Sequence, residues 1–226
     1  MRLFAIIAVL AAGLWGAAPA GAANVLDLKT EYSAASTIQT PKGPQHGRVW
    51  RTPNALRHEM TDDARGNTVI ARLDRKVAWL LVPEQKLAIE LGLENFGLPA
   101  ELLTGAGVKQ TPEGQETIAG QRTTKVHVER AANQNGNGGF DGYVWTTAQG
   151  VIMKVVGSGS NQGRSGNVNI SFSDVKVGQQ DPALFELPPG YRRLALVGVD
   201  FESLMAGIEQ FKSLGVAKPK SGAAPR

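Results

Sequence analysis

Apolar and polar residues alternate along most of the chain between residues 31 and 177. In residues 31–40, Tyr32, Ala34, Ser36 and Ile38 alternate with polar neighbours, which is the period of a half-buried β-strand. Similar short runs follow at residues 45–52, 55–61, 68–74, 77–82 and 86–90, with turn residues between them. Because no helical pattern interrupts these runs, the spacing predicts an antiparallel sheet or barrel, and the fold class is mainly β.

Two consecutive hairpins are predicted in residues 114–156. The first turns at Gly120 and the second at Gly150, and β-branched and aromatic residues flank both turns. A meander of this kind buries one face against something apolar, so the pattern indicates a container for an apolar ligand. Residues 167–177 form the last long predicted strand. The Gly-rich segments 133–139 and 157–166 are predicted to be flexible hairpin loops.

Helical patterns occur at two places. In residues 93–107, Leu98, Leu102 and Leu103 have helical spacing, Pro99 suits a first helical turn, and glycines end the segment. Residues 200–215 predict an amphipathic helix whose apolar stripe could cover this chain or bind a partner. That stripe consists of Phe201, Leu204, Met205, Ile208 and Phe211. Residues 217–226 are rich in Lys, Pro, Gly and Ala, which is typical of a disordered tail.

The first residues have the pattern of a secretory signal peptide. Arg2 precedes an apolar run, and small residues that suit cleavage follow, so we expect residues 1–23 to be removed. An N-terminal membrane anchor is the alternative, but the apolar run is short for a bilayer span. We therefore expect an exported protein with one domain at residues 24–192 and no transmembrane segment in the mature chain. The chain has no Cys, so disulfides and thiolate metal sites are excluded.

Charge and motifs exclude several function classes. The net charge is only +4, and no aromatic platform is interleaved with the basic residues, so we expect no nucleic-acid partner. His46, His58 and His127 lack ligand-like spacing, no phosphate loop is present, and we expect neither cofactor nor metal. An enzymatic function on lipid or glycan is a further alternative, and only carboxylates such as Glu90 or Asp141 could serve as its catalytic residues.

Two sequence blocks carry a family resemblance. Residues 47–61 read Gly-Arg-Val-Trp-Arg-Thr-Pro-Asn-Ala-Leu-Arg-His-Glu-Met-Thr, and residues 74–83 read Asp-Arg-Lys-Val-Ala-Trp-Leu-Leu-Val-Pro. They resemble the periplasmic lipoprotein-carrier superfamily, LolA-like. The second half, with Gly114, Gly120, Trp145 and Gly150, resembles uncharacterised exported relatives and the periplasmic stress-sensor branch. The resemblance covers most of residues 31–191.

This resemblance implies an unclosed antiparallel half-barrel that curves around an apolar cavity beneath short helices. Residues 93–104 would be one covering helix, and Arg57 matches the family arginine that tethers the lid. The expected ligand-binding residues are Trp50, Met60, Trp79, Leu81, Leu98, Leu102, Trp145 and Met153. For the three tryptophans, ordinary core packing is the alternative to cavity lining.

The implied function is a non-enzymatic carrier for a lipid, a lipoprotein acyl chain or another apolar ligand. The alternative is an envelope stress-sensing or assembly module that binds an inner- or outer-membrane envelope protein. The chain departs from the carrier pattern at Asp74-Arg75-Lys76, where the carriers have Asp-Gly, and in its additional C-terminal helix.

Overall fold

The computed structural model describes residues 29–62, 68–93, 108–132, 134, 136, 138–161 and 164–196. In these residues the chain forms a single sheet of twelve strands. The strands are β1 Tyr32–Thr40, β2 Gly43–Arg51, β3 Ala55–Met60, β4 Thr68–Arg72, β5 Val77–Val82, β6 Leu87–Gly92, β7 Val108–Ile118, β8 Gln121–Arg130, β9 Gly139–Thr147, β10 Ile152–Asn161, β11 Arg164–Val177 and β12 Arg192–Ala195. Short 3-10 helices lie at Pro83–Gln85 and Pro182–Phe185.

The sheet consists of two antiparallel meanders that share one junction. The strand order is β12-β6-β5-β4-β3-β2-β1-β11-β10-β9-β8-β7. The first meander consists of β1 to β6 and the second of β7 to β11, and the two are joined where β1 pairs with β11. The edges are β7 and β12, and the sheet is not closed into a barrel. The predicted class, a mainly β unclosed half-barrel, is therefore confirmed. The short strand β12 is an exception to the antiparallel pattern, because it pairs with β6 in parallel.

The alternation of side chains gives the sheet two faces. On one face, which we call the core face, apolar side chains from both meanders form a continuous buried cluster. Its members include Tyr32, Ala34, Ile38, Val49, Leu56, Met60, Val69, Leu80, Ile89, Val126, Val144, Val155, Ile170 and Phe172. We call the opposite side the outer face. Two-sided burial explains why β5, with Ala78, Trp79 and Leu80 in succession, has no polar alternation.

Residues 181–191, which we call the strap, cross the outer face between β11 and β12. Phe185 is buried there, and Leu184, Leu187 and Tyr191 pack beside it on a second apolar cluster from the first meander. Asp181 caps the first turn of the strap by accepting a hydrogen bond from the backbone N–H of Ala183 at 2.9 Å. Leu184, Phe185 and Leu187 therefore cover one face of the sheet.

The prediction of a flexible loop at residues 157–166 was wrong. Gly157 and Gly159 belong to β10, and Gly157 pairs directly with Gly142 of β9. A Cβ atom on Gly157 would lie 2.4 Å from the carbonyl oxygen of Asp141 and 2.9 Å from Cζ of Phe140. Glycine is therefore required here for close backbone approach inside a strand pair, which the composition alone does not distinguish from a loop.

The predicted helices lie outside the described residues. This applies to the covering segment beyond Leu93, which includes Leu98 and Leu102, and to residues 200–215 with Phe201, Leu204, Met205 and Ile208. The expected signal peptide and the tail at 217–226 lie outside them too. Among the described residues, none belongs to a helix with the length and hydropathy needed to span a bilayer.

Candidate functional site

The core face contains a tyrosine and an arginine side by side in its apolar cluster. Tyr32 of β1 is the register partner of Arg51 of β2, and Arg51 in turn pairs with Leu56 of β3. Both side chains have no solvent exposure, and Arg51 is the largest fully buried side chain among the described residues. Burial raises the pKa of the Tyr32 hydroxyl, and the Arg51 charge opposes this shift. Burial also lowers the pKa of Arg51, while Tyr32 acts in the opposite direction.

A second polar pair lies further along the same face. The Nε2 atom of His58 on β3 is 2.9 Å from the hydroxyl of Ser36 on β1, and both residues are buried. The two strands flank Gly47 of β2, where a Cβ would lie 2.9 Å from both polar atoms. Gly47 thus makes room for this hydrogen bond. Burial lowers the pKa of His58 to about 4, so its imidazole is neutral at pH 7.

The predicted ligand-binding residues divide between the two faces. Met60 and Met153 lie in the apolar cluster of the core face. Trp50, Trp79 and Leu81 lie on the outer face, in or against the cluster that the strap covers. The Nε1–H group of Trp79 donates to the carboxylate of Glu90 at 2.7 Å. The structure therefore brings Met60 and Met153 onto one surface and Trp50, Trp79 and Leu81 onto another.

Arg57, the expected lid tether, contacts the strap. Its Nη1 group donates to the carbonyl oxygen of Leu184 at 3.0 Å, while its Nε group donates to Glu59 at 2.6 Å. Arg72 adds a hydrogen bond to the carbonyl oxygen of Phe185 and an ion pair with Glu186. In this structure Arg57 thus binds a covering segment of the outer face.

Glu186 links the strap to two arginines. Arg75 donates to both carboxylate oxygens of Glu186, at 3.0 and 2.8 Å, in addition to the contact from Arg72. Although burial alone would raise the pKa of Glu186, the hydrogen bonds from Arg75 and Arg72 lower it below its ordinary value. Because Glu186 is about half exposed, this ion pair contributes little to stability, and the strap depends mainly on Phe185.

Trp145 lies on the outer face of the second meander, away from the other two tryptophans. The amino groups of Lys154 and Lys125 lie 4.9 and 5.8 Å from its ring centre, and its Nε1–H group donates to Glu116 at 2.9 Å. Lys154 also lines an open pocket of about 730 Å³ between β10, β11 and the β7–β8 turn. Polar groups such as Asn169 and Ser171 share this pocket.

The sequence analysis missed Tyr32, Arg51 and His58 as site residues. Alternation could have identified Arg51 as an inward-facing residue. Gly47, Val49 and Arg51 are alternate residues of one strand and therefore share a face, and the apolar Val49 indicates that this face is buried. The same rule places Trp50 on the opposite face from Val49. Among the described residues no group of three or more His, Asp or Glu side chains could hold a metal ion.

Comparison with known sequences identifies no relative. No family model matches the chain, and no curated protein matches it.

Solved structures do match the fold. An uncharacterised conserved protein from Thermus thermophilus is 15% identical with a TM-score of 0.50, and the match covers 76% of this chain and 97% of that one. The complex of MucA and MucB from Pseudomonas aeruginosa matches at 11% identity and a TM-score of 0.47. That match covers 75% of this chain and 60% of the other, so this chain spans less than two thirds of the length of that protein.

A LolA superfamily protein from Nitrosomonas europaea matches at 10% identity and a TM-score of 0.37, over 80% of this chain and 96% of that one.

Proposed function

We propose that the protein is a periplasmic, non-enzymatic binding or carrier protein for a lipid, a lipoprotein acyl chain or another apolar ligand. The observation that carries this proposal is the core face, where apolar side chains from both meanders form one continuous cluster in a sheet that is not closed. An unclosed sheet can separate its two halves without breaking a hydrogen-bonded ring of strands. The same cluster can therefore pack on itself or on an inserted chain.

The energetics fit reversible binding. Each buried CH₂ group contributes about 0.8 kcal/mol, so a long acyl chain gains on the order of 10 kcal/mol before entropy and reorganisation costs are subtracted. The same side chains gain a similar energy per area when they pack on one another in the empty protein. This competition lowers the net affinity and lets a carrier release its ligand.

Met60 and Met153 suit such a surface. Both side chains are buried in the core cluster, at 6% and 1% exposure. Methionine is unbranched and polarisable, so it repacks around ligands of different shape at low cost. We therefore retain these two residues as ligand contacts, together with the apolar cluster around them. We assign Trp50, Trp79 and Leu81 to the support of the strap.

The test uses the mature protein and N-phenyl-1-naphthylamine, an uncharged probe whose fluorescence rises in apolar surroundings. We expect a saturable rise with the wild-type protein and about tenfold weaker binding by Met60→Gln, because the amide enters an apolar wall. Glu59→Gln changes the neighbouring residue on the opposite face and is the matched control. Circular dichroism confirms that both variants are folded.

Two results would contradict the proposal. One is the absence of saturable probe binding by the folded wild-type protein. The other is probe binding that Met60→Gln leaves unchanged but that Trp79→Gln removes, which would place the apolar site on the outer face. Mass spectrometry of molecules that co-purify with the protein from the periplasm identifies the natural ligand class.

A further inference from the structure

The open pocket on the outer face of the second meander has no part in the proposed function. Its volume is about 730 Å³. Among the described residues that line it, one is a lysine and none is acidic, so its charge suits an anion. The polar lining residues are Gln39, Thr117, Lys154, Asn169, Ser171 and Ser173.

The pairing of the strands brings these polar side chains together. Lys154 of β10 is the register partner of Ser171 of β11, so the two side chains are neighbours on one face. Asn169 and Ser173 lie two residues to either side of Ser171 and therefore point in the same direction. Thr117, near the end of β7, lines the pocket from another part of the sheet.

The ammonium group of Lys154 is held in place without being neutralised. It lies 4.9 Å from the ring centre of Trp145, and it forms no ion pair with a described carboxylate. Lys125, the other lysine beside this ring, forms an ion pair with Glu113 at 3.4 Å. Contact with an aromatic ring orients an ammonium group but leaves its charge. Lys154 therefore offers a positive charge to the pocket.

We propose that this pocket binds the phosphate group of a phosphate monoester, with Lys154 as the cation. Besides the ammonium group, the hydroxyls of Ser171 and Ser173 and the amide of Asn169 can each donate a hydrogen bond. None of these three side chains is hydrogen-bonded to another described residue. Phosphate has more acceptor oxygens than a carboxylate, so it uses more of these donors.

The pocket also has room for the organic group that carries the phosphate, because pockets of about 300–1,000 Å³ accept whole small molecules. The site lies on the opposite side of the sheet from the apolar cluster of the core face. It therefore goes beyond the proposed function and is independent of it.

Isothermal titration calorimetry of the mature protein with glycerol 3-phosphate tests this assignment. We expect one site per chain and about tenfold weaker binding of glycerate, a carboxylate with a similar backbone. Lys154→Met should weaken the binding of glycerol 3-phosphate about tenfold. Lys176→Met removes an exposed positive charge from β11 outside the pocket and should change the affinity less than about twofold. Circular dichroism confirms that both variants are folded.

Two isosteric substitutions test the pocket without removing a lysine. Asn169→Asp adds a carboxylate to the lining, and Asn167→Asp adds the same group two residues earlier on the same strand, outside the pocket. Both side chains are exposed, so both variants should fold. We expect Asn169→Asp to weaken glycerol 3-phosphate binding about tenfold and Asn167→Asp to weaken it less than about threefold.

The source of the phosphate is decided by sedimentation with phosphatidylcholine vesicles that contain phosphatidic acid. Lys154-dependent binding to these vesicles alone assigns a lipid head group, and Lys154-dependent binding of glycerol 3-phosphate in solution assigns a soluble ester. Binding to neither, equal binding of glycerate, or wild-type affinity in Lys154→Met or Asn169→Asp overturns the inference. Binding of N-phenyl-1-naphthylamine is measured separately, so such a result leaves the proposed function intact.

Discussion

His58 should make the stability of the protein depend on pH. Burial lowers the pKa of this histidine from 6.5 to about 4, and its ring faces the neutral Ser36 hydroxyl. In the unfolded chain the imidazole regains its ordinary pKa. Between pH 6.5 and 4 the unfolded state therefore binds a proton that the folded state does not, and the free energy of unfolding falls as the pH falls.

The magnitude follows from the two pKa values. Linkage gives a loss of about 2 kcal/mol between pH 7 and pH 5, and a limit of about 3 kcal/mol well below pH 4. The other titratable groups on this part of the core face, Tyr32 and Arg51, do not titrate in that range.

Urea denaturation at pH 7, 6 and 5 measures this effect. We expect His58→Gln to remove about 2 kcal/mol of the pH dependence, with an unchanged slope against urea concentration. The exposed His46 supplies the control, because His46→Gln leaves the buried imidazole in place. A His58→Gln variant that loses as much stability as the wild type between pH 7 and 5 would refute the reasoning.

Two further substitutions test the packing of the sheet. Phe185→Ala removes the buried anchor of the strap, so we expect a loss of about 3 kcal/mol or more in urea denaturation and faster acrylamide quenching of tryptophan fluorescence. Leu194→Ala is the control, because this side chain is 45% exposed, and it should change stability by less than about 1 kcal/mol. If Phe185→Ala and Leu194→Ala lost the same stability, Phe185 would not be the anchor of the strap. Gly47→Ala places a Cβ 2.5 Å from the carbonyl oxygen of Glu59, and we expect a loss of about 2 kcal/mol or more in the same assay. Gly166→Ala is the control, because its added carbon meets open space, and we expect it to change stability little. If Gly47→Ala had an effect as small as that of Gly166→Ala, the close packing inferred at Gly47 would be contradicted.

The strand pattern of this fold can be predicted from the sequence, and the first meander shows why. The alternation around Tyr32 and the turn residues Pro53-Asn54 reflect local preferences of the backbone. The structure has β1 at the first position and strands β2 and β3 on the two sides of the turn. The parallel strand β12 could not be predicted in this way. It is short, and its position beside β6 depends on the packing of the strap across the outer face.

The faces of the sheet were harder to predict than its strands. Trp50 and Trp79 are large and apolar, which favours an inward position, but the strap gives the outer face a second apolar cluster. The alternation of a strand shows which residues face inward only where the opposite face is polar. In β2 the outward Arg48 and the inward Val49 show the correct phase, and this phase places the charged Arg51 inside.

The junction between β1 and β11 has a consequence for the order of folding. Every other antiparallel pair in the described sheet joins strands that are consecutive among the described elements, whereas this pair joins the first strand to the eleventh. Each meander can form from local contacts, but their union requires closure of a loop that spans most of the chain. When only the first meander has been synthesised, β1 is therefore an open edge of a half-sheet, and it stays unpaired on that side until β11 is made.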